Sequence, residues 1–294
     1  MKRYILAITA SFTISTAHAQ SMTGWSTQVD GLTSYQSETK LDDGNEFTAT
    51  RSFLRVTGLN TSASGTAVGL SVSLGQFDYE FANTATQPWT DIQDIRLAVP
   101  VRFKLDSGAN VFLAPSIRWD YQQGVDASDG QTYGVFGGIS WKVRDNLTIG
   151  PAFGAFTQIG NDDLELFPAL LIDWDITDRL NLTTGSGLGA TQGPGLTLKY
   201  ATTDTTAVGL TARSESVRFR LDDKGIAPNG VGEDQSYPVV VSFEYSPNPG
   251  LSFSAFAGAE FGGELALETT SGKTVSKQSY DTAPIAGLAF RLRF

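Results

Sequence analysis

Large apolar residues recur at every second position through most of this chain, and that period fits β-strands and little else. Ile95, Leu97, Val99, Val101, Phe103 and Leu105 share one face, with Arg96, Ala98, Pro100, Arg102 and Lys104 on the other. Val111, Leu113, Pro115, Ile117, Trp119 and Tyr121 alternate with Ala114, Ser116, Arg118 and Asp120. Tyr133, Val135, Ile139, Trp141 and Val143 alternate with Thr132, Gly134, Gly138, Ser140 and Lys142. The chain ends in the same way: Ala286, Leu288, Phe290, Leu292 and Phe294 alternate with Gly287, Ala289, Arg291 and Arg293. No helical period runs beyond a few residues. The fold class is therefore all-β. A strand whose last residue is a large aromatic on the apolar face is unusual for a soluble domain, which ends in a frayed polar tail.

The N-terminus predicts export. Lys2 and Arg3 precede a short apolar stretch, and Ala17-His18-Ala19 supplies a small-residue cleavage site. The expected division is a signal peptide at 1–19 and one domain at 20–294. Cleavage removes Lys2, Arg3 and His18 and keeps all 31 acidic residues, taking the net charge from −10 to −12. The chain has no cysteine, so the mature protein lacks both His and Cys. Cys–His nucleophiles, Ser–His triads and the commonest metal ligand are thereby excluded. No catalytic residue, metal or cofactor is assigned, and the expectation is of a protein that is not an enzyme. The acidic balance disfavours nucleic acid. No run reaches the roughly 18 apolar residues of a spanning helix.

Turn residues punctuate the strands with connections of alternating length. Short turns are expected near 60–65, 106–110, 144–146, 177–179, 202–205 and 246–250. Longer polar links are expected near 38–46, 82–92, 123–130, 159–163, 189–194, 221–235 and 262–279. This gives about fourteen antiparallel strands, with twelve as the alternative, and both termini at the short-turn end. The segment 205–221 changes phase near Arg213–Val217, as a β-bulge would make it do.

A sandwich buries its apolar face and shows a charged one to water. Here the second face is rich in Gly, Ala, Ser and Thr with interspersed charges, as suits the inside of a barrel. The apolar face carries Trp89, Trp119, Tyr121, Trp141, Trp174, Tyr200, Tyr237, Tyr245 and Tyr280 towards strand ends, as at membrane interfaces. Tyr280 and Phe290, ten residues apart on one face, would span roughly 25 Å along a membrane normal. The segment "YDTAPIAGLAFRLRF" resembles the terminal strand of Gram-negative outer-membrane β-barrels, and the chain looks like a porin-like barrel of an uncharacterised family. The resemblance implies a transmembrane antiparallel up-and-down barrel in the cell outer membrane. It also implies that Leu288, Phe290, Leu292 and Phe294 form the signal read by the barrel-assembly machinery. Outer-membrane lipid and lipopolysaccharide are the other implied partners.

The expected function is a passive channel for small hydrophilic solutes, lined by Arg96, Arg102, Lys104, Arg118, Asp120, Glu244, Glu260, Arg291 and Arg293. With Leu105 opposite Val111, Arg96 faces Asp120. Basic residues on one wall and acidic ones on another would set a transverse field. Asp173 and Asp175 share the inward face beside a turn, where a wet rim explains them. A barrel for apolar solutes usually carries an N-terminal plug, for which residues 20–25 are too short. The alternatives are a non-conducting barrel that binds partners through its acidic links, and an enzyme working without His.

Overall fold

The computed structural model describes residues 23–185 and 194–294. The expected signal segment, 1–19, lies outside the described residues. The strands are β1 (Gly24–Lys40), β2 (Glu46–Thr61), β3 (Ala67–Phe81), β4 (Ile92–Ala98), β5 (Val101–Lys104), β6 (Asn110–Gln122), β7 (Gln131–Arg144), β8 (Leu147–Gln158) and β9 (Asn161–Asp175). They continue as β10 (Leu180–Gly185), β11 (Gly195–Ala201), β12 (Thr206–Arg213), β13 (Glu215–Arg220), β14 (Val231–Asn248), β15 (Leu251–Glu268), β16 (Thr274–Tyr280) and β17 (Ala283–Arg293). Three pairs are single staves with a break: β4/β5 at Pro100, β12/β13 at Ser214 and β16/β17 at Asp281–Thr282. Fourteen staves result, and β1 pairs with both β2 and β17, so the sheet closes on itself. Closure leaves neither the first nor the last stave with a free edge, as a sheet that spans a membrane requires.

Parity fixes the faces. Val68, Leu70, Val72, Leu74, Val241 and Phe243 are exposed on the outside. Tyr133 and Trp141 bracket the apolar band on β7, and Tyr237 and Tyr245 bracket it on β14, all exposed. Eight residues of tilted strand rise roughly 20 Å, close to the ~25 Å apolar band of outer-membrane barrels once the rings are added. Phe294 is 73% exposed on this outer face.

Tyr280 does not belong there. It is 6% exposed and points inward, although Phe290, of the same parity, points out. The cause is a row of bulges across three neighbouring staves. In β1 the pairing with β2 slips between Gln36 and Thr39. In β15 the pairing with β14 slips opposite Gln235–Tyr237, next to Gly262, whose φ of 56° suits glycine. In β16/β17 the matching residues are Asp281 and Thr282. Because all three staves gain a residue at one level, their mutual register is undisturbed: Leu41 bridges Tyr280 in step with Gln36 against Ile285. Only the flanking ladders record the slip, and the side chains above it exchange faces.

Segment 205–221 shows the opposite case. Its register with β14 runs unbroken from Thr206↔Tyr245 to Arg220↔Val231, so no bulge sits at Arg213–Val217. What changes is the apolar face. Val208 and Leu210 point out, whereas Val217 and Phe219, of the other parity, are buried inside. The stave has passed from one whose apolar side chains face outward to one whose apolar side chains face the interior.

That interior is made by a pinch. At the end opposite the termini, Arg220 of β13 bridges Tyr121 of β6 in parallel, six staves apart. Arg220 Nε donates to the Asp129 carbonyl (3.0 Å), Arg218 Nε to the Ile159 carbonyl (3.2 Å), and the Asp222 amide to Gln122 Oε1 (3.2 Å). The contact divides the upper barrel. One lobe is ringed by nine staves: β1, β2, β3, β4, β6, β13, β14, β15 and β16. The other is ringed by seven: β6 to β11 and the β12/β13 stave. A ring near eight strands is one that its own side chains fill, and the larger lobe holds the core: Phe47, Phe77, Tyr79, Phe81, Trp89, Phe219, Leu265, Leu267 and Tyr280 among others. Trp89, expected at the outer margin, is 2% exposed here and packs edge-on against Phe219 at 5.0 Å.

The short turns lie where the sequence places them. Two of the long links do not exist as such, and nearly all of the one expected at 189–194 lies outside the described residues. Residues 262–279 are mostly β15 and β16, joined at 269–273, and the β8–β9 connection is only Ile159–Gly160.

Candidate functional site: the barrel lumen

Every side chain expected to face the lumen is on the inward parity: Arg96, Arg102, Lys104, Arg118, Asp120, Glu244, Glu260, Arg291 and Arg293. Their partners differ from expectation. The β5–β6 hairpin closes with Leu105 donating to Ala109 (2.8 Å), around a three-residue loop whose Gly108 has φ 84°. Phe103, not Leu105, therefore lies opposite Val111. Partners move by two along the stave, so faces are kept but Arg96 opposes Arg118 and Asp94 opposes Asp120. The ion pairs are diagonal. Arg118 Nη2 donates to Asp94 (3.0 Å), and its Nε lies 2.8 Å from Asp120 Oδ2, off the hydrogen-bond axis. Arg96 reaches Ser116 Oγ at 3.4 Å.

Charges of both signs interleave rather than segregate, so the expected two-walled field is absent among the described residues. Arg291 Nε donates to Asp30 (2.7 Å), Arg213 sits 2.9 Å from Glu215, and Lys199 donates to Glu244 (2.7 Å). Asn181 Nδ2 donates to both Asp173 and Asp175 (2.9 Å each), so that pair is held by an amide at the rim. Arg102, Lys104 and Arg293 lie nearest the termini, with Lys104 and Arg293 exposed.

Above this layer sits a cluster that the alternation did not announce. Arg51, with a side chain 3% exposed, donates to Glu260 (2.7 Å), Asp234 (2.9 Å) and Gln36 (2.8 Å). The Tyr79 and Tyr280 hydroxyls donate to Asp234 at 2.8 and 3.1 Å. These groups come from β1, β2, β3, β14, β15 and β16, so the network reaches across the nine-stave lobe. The donors converge on the carboxylates, as a buried charge requires. The signal available in sequence was the placement of Arg51 and Asp234 at inward parity. Their meeting was not readable there.

The seven-stave lobe differs in character. Its inward residues include Phe112, Gly134, Phe136, Gly138, Ala152, Gly154, Phe156, Phe167, Ala169 and Leu171. Phe112, Phe136, Phe156 and Phe167 are half-buried. Phe136 and Phe167 stack at 5.9 Å with planes 21° apart, and Phe112 tilts against Phe136 at 5.4 Å.

No protein-family model and no curated protein matches this chain. Among solved structures, the COG4313 outer membrane channel from Pseudomonas putida F1 superposes with a TM-score of 0.51, covering 96% of this chain and 100% of that one at 10% identity. The fold is that of an outer-membrane β-barrel. A toluene transporter of Ralstonia pickettii, TbuX, aligns over 93% of this chain and 90% of its own at 10% identity, with a TM-score of 0.41. The NanC porin aligns over 89% and 98% at 13% identity, with a TM-score of 0.36. At 10% identity the likeness to the COG4313 channel is one of fold.

Proposed function

We propose that this barrel sits in the outer membrane as a passive, non-enzymatic channel for small hydrophilic solutes, with a passage narrower than fourteen staves alone would give. The observation that carries this reading is a set of polar side chains below the pinch, Lys199, Glu244 and Arg291 towards the end near the termini and Arg118 further up β6, that keep part of their surface exposed. Paired charges of both signs suit small, weakly charged solutes better than a strongly selective ion path. Arg118, partly exposed between two carboxylates, is the residue through which the passage would feel charge.

The test is single-channel conductance of the refolded barrel in a planar bilayer. Small discrete steps are expected, and Arg118→Gln, which removes the cation paired with Asp94 and Asp120, should shift selectivity towards cations. A barrel shown to be folded that passes no current would remove the channel reading. The second reading, a closed barrel acting at the cell surface, is favoured by one observation: the nine-stave lobe is filled by the Arg51 network and the aromatic layer.

A further inference from the structure

Which wall would a solute touch? In the nine-stave lobe the inward groups are spent on one another: Phe219 is fully buried, and Arg51, Asp234 and Glu260 are buried and bonded together. The inward face that keeps accessible surface at mid-height is that of β6 to β9. Its middle carries no charge. On β7 the inward residues from Thr132 to Ser140 are uncharged, on β8 those from Gly150 to Phe156, and on β9 those between Glu165 and Asp173.

The rings on this wall are packed against glycines. A Cβ added to Gly134 would come within 2.1 Å of the Phe156 ring. One on Gly154 would meet both Phe156 (2.5 Å) and Phe167 (2.7 Å). One on Gly138 would meet Ala152 and Leu171 at 2.8 and 3.0 Å. The inward glycines therefore serve as recesses for neighbouring side chains, as glycine does where another group must approach the backbone. Seated in these recesses, the four rings stay half-buried and keep part of their surface open to the lumen. Aromatic surface of this kind binds other apolar or aromatic faces by offset stacking.

We propose that the Phe112–Phe136–Phe156–Phe167 strip is a binding site for small, uncharged, water-soluble molecules that present an apolar ring face. This names the solute class of the passage proposed above and rests on that reading for transport, though not for binding. Carboxylates stand at both ends of the strip, Glu165 at one and Asp173 with Asp175 at the other. Arg102, opposite Phe112, adds a cation beside the strip, so the flanking groups supply both acceptors and donors for the hydroxyls of a neutral solute. The filled nine-stave lobe occupies the volume that a separate plug would otherwise have to close.

The test uses phenyl β-D-glucoside and methyl β-D-glucoside, neutral probes that differ in one ring. Binding to the refolded barrel is read by saturation-transfer NMR, and entry by the swelling of proteoliposomes. Phenyl glucoside is expected to bind about three- to tenfold more tightly than methyl glucoside, the range of one stacked ring. It should also enter faster despite its size. Both preferences should vanish in Phe136→Ser/Phe167→Ser and persist in Phe136→Leu/Phe167→Tyr, each checked for folding by its heat-modifiable migration on gels. Equal binding of the two glucosides, or a phenyl preference unchanged by Phe136→Ser/Phe167→Ser, overturns the site. Binding as expected with no entry of either probe keeps the site and overturns the channel.

Discussion

Arg51 shows how a single residue is fixed by what surrounds it. Its guanidinium holds Asp234, Glu260 and Gln36 together inside the barrel. Removing one partner of a buried pair leaves the other charge without compensation, at about 3–5 kcal/mol. Arg51→Met is expected to lower the barrel's resistance to urea unfolding by that order. Arg51→Met combined with Asp234→Asn and Glu260→Gln should recover part of the loss. Full stability of the single variant would mean that water already solvates the cluster. Asp91, in the connection before β4 and outside the spanning strands, behaves differently. Burial, then the nearby Asp78 and Glu80, pushes its carboxyl above the usual range. A raised carboxyl stabilises the folded loop below the unfolded value, and that contribution is lost as pH rises through the folded one. At neutral pH the charge therefore works against the connection that carries Trp89. Asp91→Asn should slow proteolytic cutting within 82–91 at pH 7 and make no difference at about pH 3, where both carry a neutral side chain. Slowing of equal size at both pH values would assign the effect to something other than charge.

At the scale of elements, the decisive feature is the contact between β6 and β13. Neighbouring staves pair because the chain delivers them side by side, but these two are six staves apart and meet because β13 turns an apolar face inward. The absence of cysteine in the chain allows a direct check. Tyr121 and Arg220 are bridge partners, which places their Cα atoms near disulfide range. Tyr121→Cys/Arg220→Cys is expected to crosslink when the refolded barrel is oxidised, whereas Tyr121→Cys/Tyr200→Cys should not. Failure of the first pair would mean that the upper barrel is round. The glycine recesses belong to the same scale. Gly154→Val has no room beside Phe156 and Phe167, and overpacking of this kind costs about 1–3 kcal/mol. It should displace both rings and weaken phenyl glucoside binding while leaving the Arg51 cluster intact.

For the whole molecule, closure is the event that makes the structure viable. Phe294 and Thr27 exchange two backbone hydrogen bonds, at 3.1 and 2.9 Å, at the seam where β17 meets β1. Deleting Phe294 removes that exchange but leaves the nine partner pairs from Gln28↔Arg293 to Gln36↔Ile285. The refolded barrel should therefore keep its heat-modifiable migration. If Phe294 is also an assembly address, the amount of barrel inserted in cells should fall several-fold. An equal deficit in refolding and in cells would assign Phe294 to stability alone.

Much of this was written in the sequence, for a physical reason. A two-residue period records which side of a strand turns outward, and an apolar outer surface selects side chains at every second position. The inward parity of Arg96, Arg118, Asp120 and Glu260, the short turns, the even stave count and the outward Phe294 all follow from it. Register within a hairpin is a subtler matter. A shift of two residues preserves every face, so alternation could not separate Arg96↔Asp120 from Arg96↔Arg118; the tightness of the loop at Gly108 decided. Bulges shared by three staves flip faces without disturbing their common register, and so Tyr280 looked like an outer-surface residue. The pinch, the Arg51 cluster and the phenyl strip depend on contacts between staves far apart around the barrel. No local period encodes those contacts, because they arise only when the sheet has closed and its two halves are brought within reach of each other.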